Sequence, residues 1–261
     1  MSSMSKKYID LHCHPFKEYF ENREEIIEDA KLSGVWKIFL VGTNLVNSKE
    51  AIDLAKNKEG VYPIIGIHPT ECWDIETVEK LENMIDNSVV GIGEVGLDYH
   101  YQDSPSKEVQ INCFKKHIEI AIKKNLPIIV HSRDAHEDTF QVIKEYKEKN
   151  QDLVFILHSY SSGPEYVEKY SKLGVYFSFS GIVTFKNAKE MQEAAKLVPL
   201  DLILCETDTP YLTPVPYRGK VNLPKYVIET TNFIAKLKEI SIEEFLENIN
   251  QNVLKCFSKI K

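Results

Sequence analysis

Of the eight histidines in this chain, five close short apolar runs: His12, His14, His68, His131 and His158. The first two lie in YIDLHCHP, residues 8–15. In a strand, side chains two apart share a face, so Asp10, His12 and His14 point one way and Cys13 the other. Two imidazoles on one face can hold a metal; alone they read equally well as polar residues opening a loop. Two further runs end in carboxylates, Glu94 in one and Glu206 with Asp208 in the other. Histidines and acids closing so many runs point to a metal site, because neutral imidazole and carboxylate are the ligands of hydrolytic divalent ions. Two ions about 3.5–4 Å apart can share one carboxylate and clamp the attacking and leaving oxygens of a displacement. Glu94 suits the shared position, since each of its oxygens can take one ion. Asp208 suits the role of proton acceptor beside an attacking water.

The elements that must position these groups are eight apolar runs rich in Val, Ile and Phe. They are YIDLH (8–12), WKIFLVG (36–42), VYPIIGIH (61–68), VVGIGEVG (89–96), PIIVHS (127–132), LVFILHS (153–159), VYFSFSG (175–181) and LILCETD (202–208). Continuously apolar strands are those covered on both faces, as in parallel sheets. Helical patterns separate them. Residues 22–34 carry Ile26, Ile27, Ala30 and Leu32 at helical spacing, with Gly34 as the stop. Residues 106–125 open on Ser106 as a cap, carry Val109, Ile111, Phe114, Ile118, Ala121 and Ile122 on or near one stripe, and end in lysines that suit a helix C-terminus. Residues 164–174 begin with Pro and end with Gly. The tail, about 222–258, reads as two helices split near Ile240–Ser241. Eight βα units predict a (β/α)8 TIM barrel in a single domain over residues 1–261. An open doubly wound sheet is the rival, weakened by the lack of a glycine-rich phosphate fingerprint after the first strand. In a barrel, groups at the C-terminal strand ends share one mouth.

Composition narrows the function classes. Lys and Arg total 32 against 39 Asp and Glu, a net charge of −7. That argues against a protein coating a polyanion along a broad basic surface, though not against an enzyme gripping one phosphate with metal ions. Five widely spaced cysteines, without a C-x-x-C, read as reduced thiols. The opening MSSMSKK has no apolar run behind it, and no stretch is long enough to span a bilayer. The expected location is the cytoplasm, with no membrane contact.

Six segments in order, DLHCHP, IGIHP (65–69), GIGEVGLDYH (91–100), PIIVHSRDA (127–135), LHSYSSG (157–163) and CETDTPYL (205–212), resemble the TatD-type metal-dependent deoxyribonucleases of the amidohydrolase-like barrels. The resemblance runs from about residue 8 to 224, and the ordered set is specific where no single motif is. It implies two divalent metal ions, Mg²⁺ for activity with Zn²⁺ or Mn²⁺ as alternatives. His12, His14 and Asp208 match ligands of the first ion, His131 and His158 ligands of the second, and Glu94 the bridge. His68 resembles the family's histidine near the scissile phosphate. Arg133 and Arg218 are further substrate-binding candidates. The activity implied is 3′→5′ exonucleolytic hydrolysis of DNA phosphodiesters at single-stranded ends, with no obligate protein partner. The chain departs from the family pattern at PYRGKVNLP (216–224), where Tyr217, Val221 and Leu223 replace polar residues; that touches substrate preference rather than the metal ligands.

Other polar residues carry plainer expectations. Glu206 is read as orienting a ligand or a backbone amide, Asp10 as orienting a ligand histidine or capping a turn, and Asp98 as structural. Tyr211 reads as packed at the barrel rim, and His100, His117 and His136 as surface or loop residues. An amide or aminoacyl-ester hydrolase on the same site, and a non-enzymatic barrel with a relic site, are the competing functions.

Overall fold

The computed structural model describes residues 7–260; Met1–Lys6, which hold most of the MSSMSKK segment, lie outside the described residues. Eight parallel strands form one sheet in sequential order: β1 Tyr8–Cys13, β2 Val35–Val41, β3 Val61–Ile65, β4 Gly91–Asp98, β5 Ile128–Arg133, β6 Phe155–Leu157, β7 Tyr176–Phe179 and β8 Ile203–Cys205. Past its last residue, β8 runs on beside β1. Asp208 N donates to His12 O at 2.8 Å and His14 N to Thr209 O at 2.8 Å, so the ring closes through the residues that carry the candidate chemistry. This is the (β/α)8 barrel expected from the alternation of apolar runs and helical stripes.

The helices between the strands are α1 Arg23–Leu32, α2 Leu45–Ala55, α3 Ile75–Glu82, α4 Lys107–Lys124, α5 His136–Lys149, α6 Val167–Lys172 and α7 Lys189–Leu197. Two more, α8 Val227–Leu237 and α9 Ile242–Cys256, follow β8. Their ends follow local chemistry. Ser106 Oγ accepts from Val109 N at 3.3 Å to start α4, and Asn125 ends it in the left-handed conformation. Ser241 caps α9 through Glu244 N at 3.1 Å, where the sequence splits the tail. The apolar stripes are narrower than expected: Leu32 is 81% exposed and Ile122 41%. No described helix is long and apolar enough to cross a membrane. All five cysteines are buried and free of disulfides.

Four strands, β3, β6, β7 and β8, are shorter than their apolar runs. β3, β6 and β8 stop at Ile65, Leu157 and Cys205, ahead of His68, His158 and Asp208. Ser159 and Asp208 take positive φ, 40° and 59°, so the backbone leaves the extended form where it must aim side chains inward. His117 is a correction. Flanking lysines suggest a surface residue, but it is 1% exposed, with Nδ1 on Cys113 O at 2.8 Å. Positions 113, 114, 117 and 121 share one helical face, while Lys115 and Lys116 point away. Burial pushes its pKa down to about 4.

Candidate metal centre

Six elements deliver the cluster to the C-terminal end of the ring. β1 and its continuation carry His12 and His14, the loop after β3 His68, β4 Glu94 and Asp98, and β5 His131. The continuations of β6 and β8 carry His158, Glu206 and Asp208. Close backbone approach lets β4 sit where it does. A Cβ on Gly66 would fall 2.4 Å from the Gly93 carbonyl carbon, and one on Gly96 would fall 2.1 Å from His131 O. Larger residues at either position would push Glu94 out of the mouth.

Glu94 is the hub, 4% exposed, and its two oxygens face different partners. Oε2 lies 3.3 Å from His12 Nε2 and 3.6 Å from His14 Nε2. Oε1 lies 2.7 Å from His131 Nδ1, 3.3 Å from His158 Nε2 and 3.7 Å from His68 Nε2. Asp208 Oδ1 completes the first set, 3.8 Å from His12 Nε2 and 3.3 Å from His14 Nε2, which are themselves 3.0 Å apart. Four ligand atoms at about 2.1 Å from one ion in tetrahedral array would be separated by roughly 3.4 Å. The first set therefore matches a single small cation in spacing and in donor chemistry.

Three of the imidazoles, those of His14, His131 and His158, have one ring nitrogen fixed by an acceptor behind it, which leaves the other to face the cluster. His14 Nδ1 donates to Val41 O at 2.6 Å, which turns the Nε2 lone pair inward. His158 Nδ1 donates to Glu206 Oε1 at 2.7 Å, and His131 Nε2 to Asp98 Oδ2 at 2.9 Å. Carboxylates behind a histidine fix its orientation and raise its basicity as a ligand. Glu206 accepts from both the His158 ring and the Ser159 backbone N–H, at 2.7 and 2.9 Å. Asp98 is more than structural: it shares the strand parity of Glu94 on β4, a signal that was available in GEVGLD. Asp10 holds the closing strand, accepting from Thr207 N at 2.8 Å and Thr207 Oγ1 at 2.7 Å, and it meets His12 through that residue's backbone N–H at 3.4 Å rather than through its ring. Its burial pushes its pKa up to about 8.

The electrostatics call for cations. Burial works against charge on every imidazole here. At His14 the hydrogen bond to Asp208 and the charges of Asp208 and Glu94 outweigh it and raise the pKa. At His131, Asp98 and Glu94 do the same. His158 rises to about 10, since Glu206, Glu94 and Asp208 outweigh its burial. His12 goes the other way, lowered by burial and the nearby His158 charge. His68 falls to about 3 through burial and the charge on His131. Burial would raise Glu94 and Asp208, yet the positive charge of His158 and hydrogen bonds from neighbouring histidines hold both below the usual carboxylate range. Protons on three imidazoles and a divalent ion answer the same demand of buried carboxylates for positive charge.

His68 stands at the mouth, with Nδ1 on Thr70 Oγ1 at 2.7 Å and its ring 4.4 Å from that of His131. Its ligand atom also groups with those of Glu94 and His131 within 4.8 Å, close enough to join a metal set. Arg133 and Arg218 stand outside the cluster. Arg133 Nη1 donates to Tyr101 Oη at 3.1 Å, and the Arg218 guanidinium lies 4.3 Å from the centre of the Phe185 ring. The variant 216–224 loop is tied down by buried Asn222, whose Nδ2 donates to Thr207 O at 2.9 Å. Tyr211 is a second correction: it is 49% exposed rather than packed. His136 bonds Ser162 Oγ at 2.8 Å, and His100 bonds Asp134 at 2.9 Å.

Glu206→Gln keeps the size of the side chain behind His158 and removes its charge. Metal affinity is expected to fall about 10–100-fold, measured by titrating a metal into the apoprotein by calorimetry. Unchanged affinity would mean that His158 needs no carboxylate behind it.

Known proteins carry the same arrangement of sequence and fold. A family profile described as TatD related DNase matches residues 9–258. YabD of Bacillus subtilis (strain 168), described as an uncharacterized metal-dependent hydrolase, is 40% identical over 253 residues, covering 95% of this chain and 98% of its own. YcfH of Escherichia coli (strain K12), described in the same words, is 37% identical over 255 residues, 95% of either chain. The crystal structure of YJJV, a TatD homolog from Escherichia coli K12, superposes with a TM-score of 0.89 at 26% identity, covering 98% of this chain and 99% of that one.

Proposed function

Because this chain belongs to the TatD related DNase family, we propose that it is a metal-dependent hydrolase of DNA phosphodiester bonds, a 3′→5′ exonuclease that takes single-stranded ends into a dinuclear site. In this reading residues 1–261 act as one barrel domain in the cytoplasm, with DNA as substrate and no obligate protein partner. The observation that supports it is the division of Glu94: Oε2 faces His12 and His14, and Oε1 faces His131 and His158. One carboxylate between two imidazole pairs is the arrangement a pair of ions would share.

His12, His14, Asp208 and Glu94 would hold one ion, and His131, His158 and Glu94 the other. Mg²⁺ is the proposed physiological ion, with Mn²⁺ or Zn²⁺ able to take its place. Bound ions would supply Lewis acidity and lower the pKa of an attacking water. The chain's own residues do the rest. Asp208, ionised by its neighbours, takes the proton of the attacking water. Asp98 and Glu206 keep His131 and His158 turned inward. His68, kept neutral by burial and the charge on His131, faces the mouth and meets the phosphate as a neutral group. The ligands are nearly buried, so substrate must enter as a narrow, flexible end rather than as an intact duplex.

A 5′-labelled single-stranded oligonucleotide should be shortened stepwise from its 3′ end with Mg²⁺ or Mn²⁺. Excess chelator should abolish the activity, and added metal should restore it. Cleavage that persists in the chelator overturns the reading.

A further inference from the structure

Among the described residues, the exposed aromatic side chains are Tyr19, Trp73, Tyr101 and Tyr211. Each lies on a loop that follows a strand: β1, β3, β4 and β8 respectively. None lies on an outer helix or at the opposite end of the barrel. Exposed apolar residues scattered singly need no explanation. Exposed aromatics gathered at one end, around the mouth that carries the candidate chemistry, do.

Two of the loops carry more than a lone ring. Tyr211 follows Asp208 by three residues, and its N–H donates to Asp208 O at 2.8 Å. Its ring meets Tyr19 edge to face at 5.7 Å, and its hydroxyl bonds that of Tyr19 at 2.9 Å. The two rings brace each other while remaining 49% and 37% exposed. Across the mouth, Tyr101 is 53% exposed, with the Arg133 guanidinium 5.3 Å from its ring centre. Strands β8 and β1 stand opposite β4 and β5 in the ring order, so the stations flank the Glu94 cluster from two sides.

We infer that Tyr211, braced by Tyr19, and Tyr101, paired with Arg133, are base-stacking stations that hold a single strand of nucleic acid across the mouth, with Trp73 on the third side. The inference rests on the phosphodiesterase reading and adds to it what is recognised beyond the phosphate. A ring half open to solvent offers a π face that any base can cover, whereas a duplex keeps its base faces stacked within itself. Arg133 supplies a cation beside one ring, where a nucleotide places a phosphate next to its base. The net charge of −7 fits this division of labour: affinity comes from stacking and bound ions rather than from a broad basic surface. Recognition of this kind tolerates any base sequence.

The test compares two substrates that share the phosphodiester and differ in bases: a single-stranded oligonucleotide and bis(p-nitrophenyl) phosphate. Tyr211→Ala and Tyr101→Ala should each raise KM for the oligonucleotide about tenfold, within the roughly 5- to 150-fold that stacking one base is worth, and change kcat little. Tyr211→Phe should keep the wild-type KM, because the ring and not the hydroxyl carries the contact. Turnover of bis(p-nitrophenyl) phosphate should be unchanged in all three. In chelator-treated protein, tryptophan emission should be quenched by the oligonucleotide and not by an abasic strand of the same length. An unchanged oligonucleotide KM in both alanine variants, with wild-type turnover of the small diester, overturns the inference and leaves the phosphodiesterase standing. No turnover of either substrate by the wild type defeats the phosphodiesterase reading, and this inference with it.

Discussion

Glu94→Ala is expected to cut phosphodiester turnover by at least about a thousandfold and to lower metal content at both halves of the site together. The size follows from the several kcal/mol that metal ions contribute to stabilising transition-state charge, at tenfold in rate for each 1.36 kcal/mol. The double effect follows from geometry, because one carboxylate lies against His12 and His14 through Oε2 and against His131 and His158 through Oε1. Glu94→Gln is the sharper control. It keeps the volume and removes the charge that five imidazoles face, so it should fail almost as badly while folding normally. Metal analysis after gel filtration, with circular dichroism to show an intact fold, reads both. A variant that keeps one ion tightly and most of its rate would mean that the two sets act independently.

Asp208→Asn is the second large effect. The side chain lies 3.3 Å from His14 Nε2 and 3.8 Å from His12 Nε2, and its backbone N–H closes the barrel on His12 O. Asparagine preserves that backbone bond and tolerates the left-handed φ of 59° at this position. What it loses is the anionic oxygen that the proposed mechanism uses as base and ligand. A fall in kcat of about 10²–10⁴ is expected from the base alone, measured at saturating metal so that occupancy is not the cause. A kcat within a few-fold of wild type would transfer the proton-accepting role elsewhere.

The fold was legible because its strands are buried on both faces and therefore appear as unbroken apolar runs. The ends of those runs were less so. The runs through His68, His158 and Asp208 look like continuous strands, but the ladder stops short and the backbone turns to aim side chains inward. Cluster membership survives that error, since a histidine at or just beyond a strand end reaches the same mouth. What the sequence hid was partnership across the ring. Asp98 looks structural until β5 brings His131 Nε2 within 2.9 Å of it. Asp10 shares a face with His12 yet bonds Thr207, 197 residues away. His117 hides among lysines because linear neighbours are not spatial ones on a helix. Tyr211 is hard to place for the opposite reason: an aromatic beside a buried site suggests packing, yet the ring stands 49% exposed.

The most direct test of the account is a crystal structure of the protein grown with Mn²⁺, with anomalous scattering recorded at the barrel mouth. The account predicts two anomalous peaks, one on each side of the Glu94 carboxylate. One would lie among His12, His14 and Asp208, the other between His131 and His158. A single ion with Glu94 turned away from it, or ions bound only outside this ring of side chains, would contradict it.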